Sequence, residues 1–169
     1  MSRAFLGLGA NLGDRIENLQ RAVDLLAERG VEVVGSSRVY ETEPVEGPPQ
    51  PEFLNAVVEI ETKLDARALL ETCLQVEWTM GRVRSERWGP RIIDLDLLTF
   101  DEAEIDEPGL TVPHPRMHER GFVLVPLMEL EADPPLPGGR RVASLRLGPE
   151  VLGGVRPYAE PLVVPASGR

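Results

Sequence analysis

Two aspartates interrupt an otherwise apolar stretch near the middle of the chain. Residues 92–98 read I-I-D-L-D-L-L, with carboxylates at Asp94 and Asp96. A carboxylate in an apolar strand is costly unless its charge is offset. Alternation along a strand puts both side chains on one face, roughly 6.5–7 Å apart. Mg²⁺ favours one or two carboxylates plus substrate phosphates, and two metal ions can clamp an in-line displacement. The spacing therefore favours a metal site that works on phosphates.

Four arginines come just before this stretch, which is unusual in an acidic protein. They are Arg82, Arg84, Arg87 and Arg91, and Trp88 begins the W-G-P that interrupts them. The planar guanidinium fork suits phosphate oxygens. We interpret these residues as a flexible loop that closes on phosphates over the metal-binding strand. The alternative is that the two aspartates form salt bridges with Arg82 or Arg91.

An aromatic ring and an amide share one face of a second predicted strand. In residues 53–62, period-two alternation places Phe53 and Asn55 side by side. A planar heterocycle needs stacking on its face and hydrogen bonds at its edge, which this pair can supply. From these two residues alone, however, a core phenylalanine beside an asparagine that caps a turn is the simpler interpretation.

Three further side chains could take part in chemistry, and the interpretation of two of them is open. Glu77 lies at the edge of the apolar stripe of a helix that follows Asp65, so it either reaches a polar site against the sheet or pairs with Arg82 in solvent. His114 lies between two prolines and could donate to a phosphate or bond the backbone. Cys73 is on the apolar face of the same helix and is interpreted as a core residue rather than a nucleophile.

The bulk composition excludes several classes. A length of 169 residues predicts one domain, and the net charge of −10 argues against a nucleic-acid or membrane-surface binder. The single cysteine allows no internal disulfide and is typical of a reducing cytoplasm. The apolar run at the start is too short for a signal peptide, and no run approaches the ~20 residues of a membrane span.

The periodicity predicts alternating strands and helices within residues 1–155, followed by an extended, partly disordered, proline-rich tail at 156–169. The predicted strands are 4–9, 31–40, 53–62 and 92–98. The predicted helices are 14–30, 65–80 and 122–130, the last around Pro126. Residues 41–51 are predicted as an irregular loop, 101–107 as an acidic turn and 142–155 as short strand and helix pieces.

Five motifs in this order resemble the 6-hydroxymethyl-7,8-dihydropterin pyrophosphokinases of folate biosynthesis. They are G-L-G-A-N-L-G at 7–13, Y-E-T-x-P at 40–44, F-L-N-A at 53–56, G-R-x-R…R-W-G-P-R-x-I-D-L-D-L-L at 81–98, and L-T-V-P-H-P-R-M-H-E-R-x-F at 110–122. Their order and spacing cover about three quarters of the chain. The combination is far more specific than any single motif.

The resemblance implies a ferredoxin-like α+β fold, in which helices flank an antiparallel sheet with long catalytic loops. It implies transfer of the terminal pyrophosphoryl group of ATP to the hydroxymethyl oxygen of the pterin, with release of AMP. Asp94 and Asp96 would bind two Mg²⁺ ions along the triphosphate. The expected partners are ATP and the pterin, with no nucleic acid and no membrane, and the expected state is a cytoplasmic monomer.

The resemblance also assigns the remaining site residues. Phe53 and Phe122 would sandwich the pterin ring, Asn55 would bond its edge, and main-chain groups near Thr42 and Val45 would complete the pocket. A mobile catalytic loop would carry four further residues, which are Arg82, Arg84, Trp88 and Arg91. Contacts to the nucleotide are expected from His114, Arg120 and Glu77, of which Glu77 has no assigned role.

Two departures from the family and two rival functions stand beside this assignment. Gly109 occupies a position where some relatives have an arginine near the nucleotide, and residues 81–91 are one residue shorter than in some relatives. One rival is another metal-dependent nucleotidyl or phosphoryl transferase on the same scaffold. The other is a regulatory domain that binds a small molecule without chemistry, against which the four arginines argue.

Overall fold

An antiparallel sheet forms the centre of the fold. The structure, a computed structural model, describes residues 1–43, 49–81 and 92–166. The strands are β1 (Ser2–Ala10), β2 (Glu32–Ser36), β3 (Val39–Thr42), β4 (Phe53–Thr62), β5 (Asp94–Phe100), β6 (Ile105–Glu107), β7 (Leu110–Val112) and β8 (Arg156–Ala159). Six of them form the sheet in the order β5-β1-β4-β3-β8, with β2 also paired to β4, while β6 and β7 form a separate ribbon. All pairings are antiparallel.

Four α-helices accompany the sheet within the described residues. They are α1 (Arg15–Glu28), α2 (Ala66–Thr79), α3 (Gly121–Leu130) and α4 (Pro149–Leu152). Asp14 and Asp65 cap α1 and α2, because their carboxylates accept the amide hydrogens of Glu17 at 3.2 Å and Ala68 at 2.8 Å. The predicted α+β class with an antiparallel sheet is confirmed. None of these helices is both long and apolar enough to cross a membrane.

The two faces of β1 contact two different hydrophobic clusters. Ala4, Leu6 and Leu8 pack with α1 and α2 in the larger hydrophobic cluster. The side chain of Phe5 points to the opposite face and joins a second cluster beneath α3. Because side chains alternate, Gly7 and Gly9 lie on the α3 side as well. The sheet therefore has one filled face and one face with room beside α3.

Several predicted elements need correction. The predicted strand at 31–40 is two strands, β2 and β3, which pair with successive parts of β4. Between them the buried Ser37 uses its hydroxyl to accept the Val57 amide hydrogen at 2.9 Å. The first two residues of the predicted loop at 41–51 belong to β3, and the acidic turn at 101–107 ends in strand β6. Residues 142–155 contain short helical pieces but no strand.

The C-terminal residues also differ from the predicted tail. Residues 156–159 form β8 and pair with β3, and Leu162 is only 7% exposed within the larger cluster. The Gln20 side chain exchanges two hydrogen bonds with the Val163 backbone, at 2.9 and 2.8 Å. Within residues 156–166 the prolines therefore accompany an edge strand of the sheet, and the predicted partial disorder of the tail stays a prediction. The predicted extent of the domain, 1–155, stays a prediction.

Leu162→Ala tests whether these last residues stabilise the fold. Removing a buried leucine side chain costs ~2–5 kcal/mol, so we expect a loss of this order in the free energy of unfolding measured in urea. Val163→Ala is the matched control, because Val163 is 72% exposed and should change stability by at most ~0.5 kcal/mol. Equal stability of the two variants would contradict the packing described for the C-terminus.

Candidate active site

A cavity of about 510 Å³ opens on the α3 side of the sheet. Strands β1, β3, β4 and β5 supply its floor, and residues 114–123 and 150–155 supply further walls. Its size is typical of a pocket for a small ligand. Six predicted substrate-binding residues and both predicted metal ligands line it, and they are Thr42, Phe53, Asn55, His114, Arg120 and Phe122, with Asp94 and Asp96.

The carboxylates lie on a floor that two glycines keep open. Asp94 pairs across the strands with Gly9, and Asp96 pairs with Gly7. On its other side Gly9 pairs with Asn55. A Cβ atom at Gly9 would lie 2.9 Å from Asn55 Oδ1, which is closer than real Cβ atoms come. The missing side chain therefore leaves space between the carboxylate end and the amide end of the cavity.

A guanidinium group faces the two carboxylates. Arg120 lines the cavity, and burial lowers its pKa while the negative charges of Asp96 and Asp94 oppose that shift. An arginine remains a cation under these conditions. Its guanidinium carbon also lies 5.5 Å from the centroid of the Phe122 ring. The cavity thus brings a fixed cation, two anions and an aromatic ring together.

His114 is neutral at pH 7 in this setting. Burial, followed by the positive charges of Arg120 and Arg116, lowers the pKa of His114 to about 4. Its Nδ1 accepts the Arg116 amide hydrogen at 3.3 Å, and its own amide donates to the Leu98 carbonyl at 2.8 Å. Because Nδ1 accepts, the neutral ring carries its proton on Nε2. The imidazole therefore accepts a backbone hydrogen bond at Nδ1 and can donate a hydrogen bond from Nε2.

An amide and a hydroxyl are fixed against each other beside the aromatic rings. Asn55 Nδ2 donates to Thr42 Oγ1 at 2.6 Å, and both residues are buried. This bond orients the Asn55 amide and sets the direction of its Oδ1 acceptor. Phe53 and Phe122 line the same cavity. The predicted common face of Phe53 and Asn55 is therefore present, and Asn55 bonds the Thr42 hydroxyl at the cavity rather than capping a turn.

Glu77 lies behind the carboxylate strand. It is 4% exposed, and its Oε2 accepts the Leu95 amide hydrogen at 2.7 Å. Leu95 separates the two aspartates, so Glu77 holds the backbone that carries them. The predicted position between helix and sheet is confirmed, and the solvated flank is wrong. Cys73 is a buried thiol whose pKa burial raises to about 12, as expected of a core residue.

Five predicted site residues lie outside the described part of the chain. They are Val45, Arg82, Arg84, Trp88 and Arg91. Their roles in the pocket and in the catalytic loop stay predictions.

The structure adds contributors to the cavity that the sequence analysis missed. The sequence analysis treats Gly7 and Gly9 only as part of a predicted strand and of a family motif, although their alternation with Leu6 and Leu8 places them on the side away from the larger cluster. Arg116 lines the cavity beside His114. Residues 150–155 also line it, and they offered no signal because their contribution includes glycine backbone.

A family model and the similar curated proteins all point to the same family of pyrophosphokinases. The family model described as 7,8-dihydro-6-hydroxymethylpterin-pyrophosphokinase (HPPK) matches residues 5–132. A 2-amino-4-hydroxy-6-hydroxymethyldihydropteridine pyrophosphokinase from Methylorubrum extorquens is 48% identical over 134 residues, which span 79% of this chain and 85% of the relative. A protein of the same name from Bacillus subtilis is 49% identical over 128 residues, 75% of this chain and 77% of the relative.

A solved structure shares the fold at low sequence identity. The crystal structure of wild-type Plasmodium falciparum HPPK-DHPS with pteroate superposes with a TM-score of 0.61 at 15% identity. The match covers 75% of this chain and 40% of that longer chain. At this identity the likeness supports the architecture of the sheet and helices alone.

The buried imidazole predicts a specific pH dependence of stability. The pKa of His114 is about 4 when folded and near 6.5 when unfolded, so the unfolded chain binds a proton first as the pH falls. Between pH 7.5 and pH 5 this linkage removes roughly 2 kcal/mol of stability. His114→Asn keeps an acceptor near the Arg116 amide but cannot titrate.

Urea unfolding of both proteins at the two pH values isolates this effect, because the carboxylates titrate in both. We expect the wild type to lose ~2 kcal/mol more than His114→Asn does over this interval. The same pH dependence in both proteins would show that the folded state does not suppress protonation of His114.

Proposed function

The chain belongs to the 7,8-dihydro-6-hydroxymethylpterin-pyrophosphokinase family, and we propose that the described cavity is where its two substrates meet. As a member, it transfers pyrophosphate from ATP to 6-hydroxymethyl-7,8-dihydropterin in folate biosynthesis. The observation that carries the proposal is the pairing of Gly9 with both Asp94 and Asn55. That pairing separates the carboxylates from the amide along one cavity, which supports phosphate chemistry at one end and heterocycle binding at the other.

The pterin end is formed by two rings and an oriented amide. Phe53 and Phe122 would stack on the two faces of the pterin ring, whose flat π-system suits such contacts. The Asn55 acceptor, held by Thr42, would bond the donor-rich edge of the pterin. Main-chain groups at Thr42 and Val45 would complete this end, the second from outside the described residues.

The carboxylate end fits Mg²⁺ bound together with ATP. Asp94 and Asp96 supply oxygen ligands beside a floor without side chains. Among residues 1–43, 49–81 and 92–166, no group of three or more His, Cys, Asp or Glu side chains could hold a metal ion alone. A pair of carboxylates completed by phosphate oxygens and water is the usual arrangement for Mg²⁺. When bound, two such ions would neutralise the triphosphate and favour in-line geometry.

The remaining cavity cations and donors suit the phosphate oxygens. Arg120 and Arg116 can each offer a planar pair of N–H donors. The neutral His114 can donate from Nε2 without adding charge. We assign all three to the triphosphate. Glu77 stays a predicted nucleotide contact, and its bond to Leu95 supports a positioning role for the aspartates.

The reaction needs alignment more than it needs a protein nucleophile. The pterin hydroxymethyl oxygen attacks the β-phosphorus, the bond from that phosphorus to the α,β-bridging oxygen breaks, and AMP leaves with this oxygen. The absence of a reactive cysteine is consistent with this, since Cys73 is a buried thiol. Catalysis then consists of holding both substrates in line and offsetting the developing charge. Arg82, Arg84, Trp88 and Arg91 are proposed to close over the phosphates and exclude water.

Membership of the pyrophosphokinase family decides against both rival functions, which were a different metal-dependent transferase and a binding domain without chemistry. The expected monomeric state and cytoplasmic location stay predictions.

Asp96→Asn tests the proposed metal site. The assay measures formation of AMP from ATP in the presence of Mg²⁺ and 6-hydroxymethyl-7,8-dihydropterin. The wild type should form AMP, and the variant should turn over at least ~10²-fold more slowly with its fold intact, since it loses a metal ligand. Asp106→Asn, in the exposed ribbon, removes the same charge elsewhere and should be unaffected. Near-normal turnover of Asp96→Asn in excess Mg²⁺ would refute the metal role.

Arg82→Ala tests the predicted loop through the balance of rate and affinity. An interaction made only in the transition state lowers kcat and leaves ground-state binding intact. We therefore expect kcat to fall far more than the affinity for the pterin, measured by steady-state kinetics and by fluorescence titration. Arg21→Ala, on the exposed side of α1, is the control. A large loss of pterin affinity with kcat preserved would make Arg82 a binding residue instead.

A further inference from the structure

One wall of the cavity comes from a part of the chain to which the family match does not extend. The match ends at residue 132, whereas the cavity is also lined by Glu150, Val151, Gly153, Gly154 and Val155. These residues belong to what we call the C-terminal strap, residues 149–159, which contains α4 and β8. The strap touches the site at two places, and each has a distinct physical basis.

The first contact is between α4 and the beginning of α3. Gly121 precedes Phe122, and a Cβ atom added to it would collide with the Val151 carbonyl oxygen and lie 3.2 Å from the Leu152 Cα. The α4 backbone therefore lies directly on the first turn of α3. Both sides of this contact line the cavity. The strap thus limits where Phe122 can lie.

The second contact is an ion-pair cluster centred on Arg156. In the sheet Arg156 pairs with Glu41, and its Nη2 lies 3.4 Å from Glu41 Oε1. The same Nη2 forms an ion pair with Glu52 Oε2. Arg15 reinforces the cluster, because its Nη1 donates to Glu41 Oε2 and to the Glu52 carbonyl, both at 2.9 Å. Its guanidinium carbon lies 5.4 Å from the Tyr158 ring centroid.

The two glutamates stand at the two ends of the connection between β3 and β4. Glu41 immediately precedes Thr42, and Glu52 immediately precedes Phe53. Thr42 and Phe53 are partners across these strands and both line the cavity. Since side chains alternate, Glu41 extends from the face opposite Thr42. Arg156 therefore ties together, from behind, the two strand ends that present pocket residues.

We propose that Arg156 is a positioning residue for the pterin end of the cavity: by joining Glu41 and Glu52 it holds Thr42 and Phe53 in register beneath the wall formed by α4. This assignment rests on the proposed function, in which Thr42, Phe53 and Asn55 bind the pterin. The Thr42 hydroxyl orients the Asn55 amide, so displacement of Thr42 also misdirects that acceptor. The carboxylate end is carried by β1 and β5 and does not depend on this tie.

A merely structural role for Arg156 makes a different prediction. The Arg156 side chain is 47% exposed, and exposed ion pairs contribute little to stability. If these ion pairs only supported the fold, their loss would slightly lower the free energy of unfolding. It would then change the pterin affinity and the nucleotide affinity to the same extent. A positioning role instead separates the pterin affinity from the nucleotide affinity.

The experiment compares full-length wild type with Arg156→Gln, which removes the charge and keeps much of the length. The dissociation constant of 6-hydroxymethyl-7,8-dihydropterin is measured by fluorescence with Mg²⁺ and α,β-methylene-ATP present, and that of the nucleotide analogue is measured alone. We expect the pterin constant to rise 5- to 30-fold and the nucleotide constant to change less than two-fold. The KM for the pterin should rise in step, with kcat within about three-fold.

Matched variants separate this effect from general damage. Arg141→Gln removes an exposed arginine that does not line the cavity and whose Nη1 lies 3.1 Å from Asp133 Oδ2. This variant should match the wild type. Arg156→Lys keeps the charge and should recover most of the pterin affinity. Glu52→Gln removes one of the two partners and should give a smaller loss of the same kind, which keeps the test valid if Arg156→Gln folds poorly.

The outcomes distinguish a failure of the proposed function from a failure of the positioning role of Arg156. If the wild type itself neither binds the pterin nor forms AMP, the proposed function fails. If the wild type does both, and Arg156→Gln and Glu52→Gln retain wild-type pterin affinity, the positioning role is overturned. An equal loss of pterin and nucleotide affinity would also overturn it, because the tie would then support the fold in general.

Discussion

The site depends on one row of residues across three neighbouring strands: Asp94 on β5, Gly9 on β1 and Asn55 on β4. Two inter-strand spacings separate the outer members, which is about 9–10 Å along the sheet. That distance is set by backbone hydrogen bonds and does not change with side-chain rotamers. Any side chain at position 9 would meet Asn55, so glycine keeps the space between the ends open. The sheet itself thereby separates the carboxylate end of the cavity from the amide end.

The electrostatics of the cavity follow from this arrangement. The chain carries a net charge of −10, yet it must accept a strongly anionic triphosphate. The two aspartates would add to that repulsion if they faced only solvent, but Arg120 lies within their field. His114 adds no charge, because its environment keeps the imidazole neutral. It can therefore donate a hydrogen bond while the arginines offset the negative charge.

Much of this site could be predicted from the sequence because its key pairs are local. Asp94 and Asp96 share a face through alternation alone, and so do Phe53 and Asn55. Alternation could not show whether the face of Phe53 belongs to the core or to a cavity, since that depends on what packs above it. The cavity decides this, because Phe53 and Asn55 both line it, and the bond from Asn55 to Thr42 joins two of its strands. The split of the predicted strand at 31–40 has the same origin, because Ser37 is held by Val57 on a neighbouring strand.

The features that could not be predicted act through backbone or through pairs distant in the chain. Gly121 accommodates the carbonyl of Val151, and neither residue type indicates a site by itself. Arg156 reads as one more exposed arginine until β8 is aligned with β3, which brings it to glutamates more than 100 positions away. A wall made from backbone and held by surface ion pairs constrains sequence weakly, because many side chains leave the main chain in place. The chemistry is therefore concentrated in the motifs, while the C-terminal wall is visible only in three dimensions.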